Sequence, residues 1–128
     1  MRQVLGFEVA CDMAVTRAQF RRMALRFPET AESAHQNHPD FRVRGKIFAT
    51  LGPAGTQRAM VKLTPEQQAE FIADAPAIFS PESGAWGRSG CTRVDLKAAK
   101  QKILSHAILA AWLNAAPKQL AEKMEASR

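Results

Sequence analysis

The chain has 128 residues, 46% of them hydrophobic and 23% charged, close to the globular average for a single domain. A chain of this length buries about two-thirds of its unfolded surface and folds without staples, and its composition excludes low-complexity or intrinsically disordered character. Eighteen Lys and Arg against twelve Asp and Glu give a net charge of +6, which admits nucleic acid or an anionic surface as partner without requiring either.

The excess charge is concentrated. Phe41 to Lys62 holds five bases (Arg42, Arg44, Lys46, Arg58 and Lys62) and no acid, while the other thirteen bases and twelve acids come to +1. A solvated strand face and a polyanion-binding surface both account for such a stretch. Cys11 and Cys91 lie eighty positions apart. They make no CxxC pair and no disulfide framework, which predicts a reducing, cytoplasmic setting. No apolar run approaches the roughly 20 residues of a membrane span, and Val4–Cys11 is interrupted by Glu8, a poor signal-peptide core.

Met13 reads as a start, with residues 1–12 an N-terminal extension and 13–128 a single domain. A chain beginning at Met13 is expected to melt within a few degrees of the full chain, because termini that are not tied down add little stability. A calorimetric loss above about 2 kcal/mol would instead place Val4, Leu5 and Phe7 in the core.

Thr16 and Gln19 form a capping-box pattern. Phe20, Met23, Ala24 and Phe27 follow on one helical face, and Pro28 ends the helix. Residues 33–37 suggest a short polar edge strand. Phe41–Val43 and Lys46–Leu51 read as a hairpin around Arg44-Gly45, since tight hairpin turns need positive φ. In that register Phe41 would face Phe48 and Val43 would face Lys46. The competing reading, one strand from 41 to 51, would align Arg42, Arg44, Lys46 and Phe48 on one face.

Gly52 to Gly55 is a turn, and Arg58–Leu63 a third strand. Thr64-Pro65-Glu66-Gln67 is a complete helix start; that helix should reach about Ala75 and bury Phe71, Ile72 and Ala75. Residues 76–90 look irregular. Cys91–Leu96 is a strand, followed by a long helix from Lys97 to about Ala115 with Ile103, Leu104, Ala107, Ile108, Ala111 and Trp112 facing a sheet. Pro117 opens a last helix carrying Leu120 and Met124. Strands and helices without strict alternation predict an α+β fold. An antiparallel sheet would carry an N-terminal helix, a middle helix and C-terminal helices. Phe41, Phe48, Phe71 and Trp112 are the expected large core residues.

Signatures of catalysis are absent. His35, His38 and Asp40 are close in sequence but lack a third ligand or a Cys cluster for a metal. There is no GxSxG elbow. Cys91 on a strand reads as a small buried residue rather than a nucleophile. Gly84, Gly87 and Gly90 lack a phosphate-loop context and read as loop flexibility. Trp86, between glycines and beside Arg88, has two readings. It folds back to plug the end of the core, the preferred one, or it presents an aromatic plane with a cation for base stacking and phosphate contact.

Several motifs together resemble the MmcQ/YjbR family. They are His38-Pro39-Asp40-Phe41-Arg42-Val43, Gly45-Lys46-Ile47-Phe48-Ala49, Val61-Lys62-Leu63-Thr64-Pro65-Glu66-Gln67-Gln68 and Gly84-Ala85-Trp86-Gly87-Arg88-Ser89-Gly90. Arg26-Phe27-Pro28-Glu29 and the stretch from Ser105 to Lys118 fit the same pattern, so the likeness spans about residues 14–124.

The resemblance implies a CyaY-like domain with an antiparallel sheet. It also implies a "double wing" DNA-binding label, resting on shape, with no catalytic, metal or cofactor residues. The expected function is non-enzymatic binding of duplex DNA, chiefly through its phosphates, by Arg42, Arg44, Lys46, Arg58, Lys62, Trp86 and Arg88, with Arg93 extending the patch. The alternative is a protein-interaction, regulatory or ligand-binding domain. No helix-turn-helix, zinc finger or RNP motif is present.

Overall fold

A computed structural model describes residues 14–35 and 38–126; the expectation for residues 1–12 falls outside them. In chain order the elements are α1 (Arg17–Leu25), β1 (Thr30–His35), β2 (His38–Val43), β3 (Lys46–Leu51), β4 (Arg58–Lys62), α2 (Pro65–Asp74), β5 (Phe79–Pro81), α3 (Gly84–Arg88), β6 (Cys91–Asp95), α4 (Gln101–Ala115) and α5 (Lys118–Ala126). The six strands form one sheet in the order β1-β2-β3-β4-β6-β5, and every pairing is antiparallel. The fold is α+β, as the mixed element order predicts.

Both predicted helix starts form full capping boxes. The Thr16 hydroxyl accepts from the Gln19 N–H at 3.0 Å while the Gln19 side chain accepts from the Thr16 N–H at 2.8 Å. Thr64 and Gln67 repeat this at 3.1 and 3.0 Å. Each satisfies two N–H groups that a helix end leaves without intrahelical partners. Just before α1, Val15 is 1% exposed, and its N–H donates to the Leu96 carbonyl at 2.9 Å.

The hairpin forms at Arg44-Gly45, where φ is +49° and +85°. Two consecutive positive values make the turn whose twist matches paired strands. The register differs from the expected one beyond the first pair. Val43 faces Lys46 and Arg42 faces Ile47, but Phe41 faces Ala49. Phe48 is therefore the extra residue of a bulge, which turns two successive residues of β3 to one side. Phe48 and Ala49 are both fully buried. The ring that Phe41 meets is Phe20 of α1, edge-on at 6.0 Å.

The core lies between one sheet face and the helices. Phe41, Val43, Phe48, Leu51, Val61, Phe79 and Val94 meet Phe20, Leu104, Ile108 and Trp112 there. Helix α4 packs on β3 and β4. Trp112 stacks on Phe27 at 5.8 Å and donates from Nε1 to the Pro28 carbonyl at 3.2 Å. Phe71, Ile72 and Ala75 are half-buried at the core's rim rather than inside it, with Phe71 edge-on to Phe79 at 5.3 Å.

Four further expectations are corrected. The edge strand is longer and starts at Thr30. The strands β4 and β6 end one residue early, at Lys62 and Asp95. Helix α4 begins at Gln101, not Lys97, because the Asp95 carboxylate accepts from the Lys97 N–H at 3.0 Å and diverts the chain into a turn. Residues 76–90 are not irregular: β5 pairs with β6, setting Phe79 opposite Val94, and α3 follows. A strand of three residues and a helix of five are too short to show periodicity.

Candidate nucleic-acid interface

Alternation along the strands sends every second side chain away from the helices. Ala59 and Val61 enter the core, so Arg58, Met60 and Lys62 face outward. Arg42, Ile47 and Thr50 share that open face through the β2–β3 and β3–β4 pairings. Cys91, Arg93 and Asp95 join it opposite Lys62, Met60 and Arg58.

The acid-free stretch of sequence is not acid-free in space. The Asp40 carboxylate, fully buried, accepts two hydrogen bonds from Arg42 at 2.8 and 3.1 Å. At the hairpin tip, Arg44 makes the same two-bonded pair with Glu29 at 2.6 and 3.1 Å. Hydrogen bonding to Glu29 raises the Arg44 pKa and lowers that of the carboxyl. Arg93 bonds Glu82 at 3.1 Å. Arg58 has Asp95 as its cross-strand neighbour.

Of the three cations expected to act together from a wing tip, Arg42 and Arg44 hold acids of this chain. Arg42 also supports the fold. Replacing it would leave the buried Asp40 carboxylate without this guanidinium, a costly state for a buried acid. Among the described residues, Lys46, Lys62 and Arg88 make no ion pair.

Lys46, Lys62 and Trp86 line one groove, Lys62 from the open face and Lys46, the cross-strand partner of Val43, from the end of the sheet beside α4. A groove of about 390 Å³, lined by Lys46, Lys62, Thr64, Trp86 and Asn114, adjoins one of about 380 Å³ over Ile47, Thr50, Met60 and Cys91. The two share Ile47, Lys62, Trp86 and Cys91, so they are lobes of one depression that wraps around the indole. The preferred sequence reading of Trp86 as a core plug is overturned: it is 68% exposed, whereas Trp112 fills the core at 0%. Arg88 does not accompany it. Two residues apart on a helical turn, their side chains leave in different directions.

Two of the three glycines are close-packed, while nothing lies within 4 Å of a Cβ added at Gly84. A Cβ on Gly87 would overlap the Glu82 carbonyl, and one on Gly90 would overlap the Leu63 carbonyl. Helix α3 thus lies directly on backbone. Gln68 of α2 clamps it, donating from its amide to the carbonyls of Gly87 at 3.1 Å and Cys91 at 3.0 Å. Sequence reasoning missed Gln68 and Glu82; only the Gly-x-x-Gly-x-x-Gly spacing hinted that something packs closely there.

Burial is the main cause that pushes the Cys91 thiol up, so it is protonated at neutral pH and a poor nucleophile. Among the described residues no group of three His, Cys, Asp or Glu could hold a metal ion. No helix among them is long and apolar enough to cross a membrane.

A six-stranded antiparallel sheet with helices packed on one face defines a small α+β domain of a recognisable kind. The chain belongs to the YjbR family, whose model matches residues 25–116, from the end of α1 to just past α4. Its fold is similar to the crystal structure of Deinococcus radiodurans protein DR2400, which carries the DUF419 domain. The TM-score is 0.69 at 16% identity, over 89% of this chain and 90% of that one, a likeness of fold. No curated protein matches the chain.

Proposed function

We propose that this YjbR domain is a non-enzymatic DNA-binding module whose contact surface is the groove around Trp86 rather than the hairpin tip. The observation that carries this reading is that Lys46 and Lys62, both without an ion pair among the described residues, line one groove with an exposed aromatic ring. The ammonium groups meet phosphates as point charges. Among the described residues no set of side chains is arranged to read base edges, so affinity is expected to be nearly independent of sequence.

The test is a titration with a mixed-sequence DNA at several salt concentrations. Each neutralised phosphate contributes about −0.9 to the slope of log K against log salt on a duplex and about −0.7 on a single strand. The double variant Lys46→Gln/Lys62→Gln should flatten the slope by about 1.5 while leaving the melting temperature unchanged. An unaltered slope would remove this groove from the binding surface, and absence of affinity at about 50 mM salt would end the DNA-binding reading. A second reading, a small-ligand site, is favoured by the groove's volume and partly apolar floor; a ligand-specific thermal shift without DNA affinity would select it.

A further inference from the structure

We infer that the nucleic acid this groove takes is single-stranded, with an unpaired base stacked on Trp86. The inference rests on the DNA-binding reading and adds the form of the strand. An indole that is 68% exposed leaves a large aromatic face in water, open to stacking by a base.

Here the backbone that carries the ring is held in place. The ring stands on α3, which Gln68 clamps to α2 and which lies against the Glu82 carbonyl at Gly87. Beneath and beside it are Ile47, Met60 and Cys91, an apolar floor suited to the flat face or edge of a base. Lys62 borders both lobes and Lys46 one of them, while Glu82, which also borders the second lobe, is held by Arg93 at 3.1 Å, so the lysines are the cations available to a backbone attached to that base.

A stacking platform with a cationic track is the arrangement by which proteins hold single strands. In a duplex each interior base is covered above and below by its neighbours, so the indole has no face to meet unless a base leaves the stack. The charge beside the groove comes from lysines rather than from arginine forks. This fits a flexible strand held by its phosphates and one or two bases without sequence choice.

The test uses the full chain, a mixed-sequence single strand, and that strand annealed to its complement. Indole emission separates the two tryptophans, because Trp112 is fully buried and out of a ligand's reach. The single strand should bind at least tenfold tighter than the duplex and quench emission. Trp86→Ala should weaken single-strand binding by about tenfold or more and abolish the quench, with an unchanged melting temperature. Trp86→Phe should restore most of the affinity. If Trp86→Ala binds the single strand like the wild type, or saturation leaves emission unchanged, stacking is overturned. The phosphate reading then survives wherever Lys46→Gln/Lys62→Gln still flattens the salt slope. If neither form of DNA binds at low salt, both readings fall together.

Discussion

Trp112→Ala should be among the most damaging single substitutions in this protein, costing about 3–5 kcal/mol, the range for truncating a large buried aromatic. The ring is fully buried in α4, stacks on Phe27 and donates to the Pro28 carbonyl. It therefore ties the long helix to the segment where α1 ends, eighty-four positions earlier in the chain. Its removal opens a cavity and leaves that carbonyl without its indole donor. Against a typical total stability of about 5–15 kcal/mol, the loss moves the urea midpoint sharply down. Trp112→Phe keeps a ring and loses the N–H, so it should cost less than the alanine variant. A midpoint unchanged by Trp112→Ala would show that α4 is held to the sheet by its aliphatic residues alone.

Much of the fold was legible because its elements announce themselves locally. Two capping boxes, one proline at a first helical position and one turn with consecutive positive φ require no knowledge of the rest of the chain. The 3.6-residue spacing of α1 and α4 selected their buried faces correctly. What was illegible depended on partners distant in sequence. The bulge at Phe48 buries both Phe48 and Ala49, which no pattern within β3 reveals. Strand β5 is three residues long and owes its existence to β6. The half-burial of Phe71 and Ile72 follows from α2 lying at the sheet's rim, where one helical face meets partial cover.

The candidate site was legible in its residue types and not in their pairing. A window from Phe41 to Lys62 contains no acid, but folding brings Glu29 to Arg44, and the chain just upstream brings Asp40 to Arg42. Charge counted along a segment predicts a surface only when neighbouring strands contribute none of the opposite sign, and here they do. Lys46 and Lys62 survive as candidates because of where the sheet places them. Trp86 was singled out by its setting between glycines, yet the preferred direction was inward. The deciding contacts, Gln68 to Gly87 and Gly87 against Glu82, come from backbone proximity that side-chain patterning does not encode.

Gly90→Ala should damage both stability and the groove, for a reason that separates it from an ordinary glycine replacement. Gly90 has φ +114°, a conformation that L side chains rarely adopt and that costs on the order of 1–3 kcal/mol when forced. A methyl group there would also overlap the Leu63 carbonyl. That contact is rigid, because Leu63 donates its own N–H to the Gly90 carbonyl at 3.2 Å, tying the two backbones together just where α2 is about to begin. Relief requires α3 and the start of β6 to move away from Leu63, taking Trp86 with them. Gly45→Ala provides the contrast: φ is +85°, yet nothing lies within 4 Å of the added atom, so only the conformational part remains. Gly90→Ala is expected to lower the denaturation midpoint well below that of Gly45→Ala. In whatever fraction stays folded, Trp86 emission should shift as the indole leaves its groove. Equal midpoints for the two variants would mean that the Leu63–Gly90 approach relaxes freely. The seat of α3 would then be set by Gln68 and Gly87, and Gly87→Ala would become the substitution that displaces Trp86.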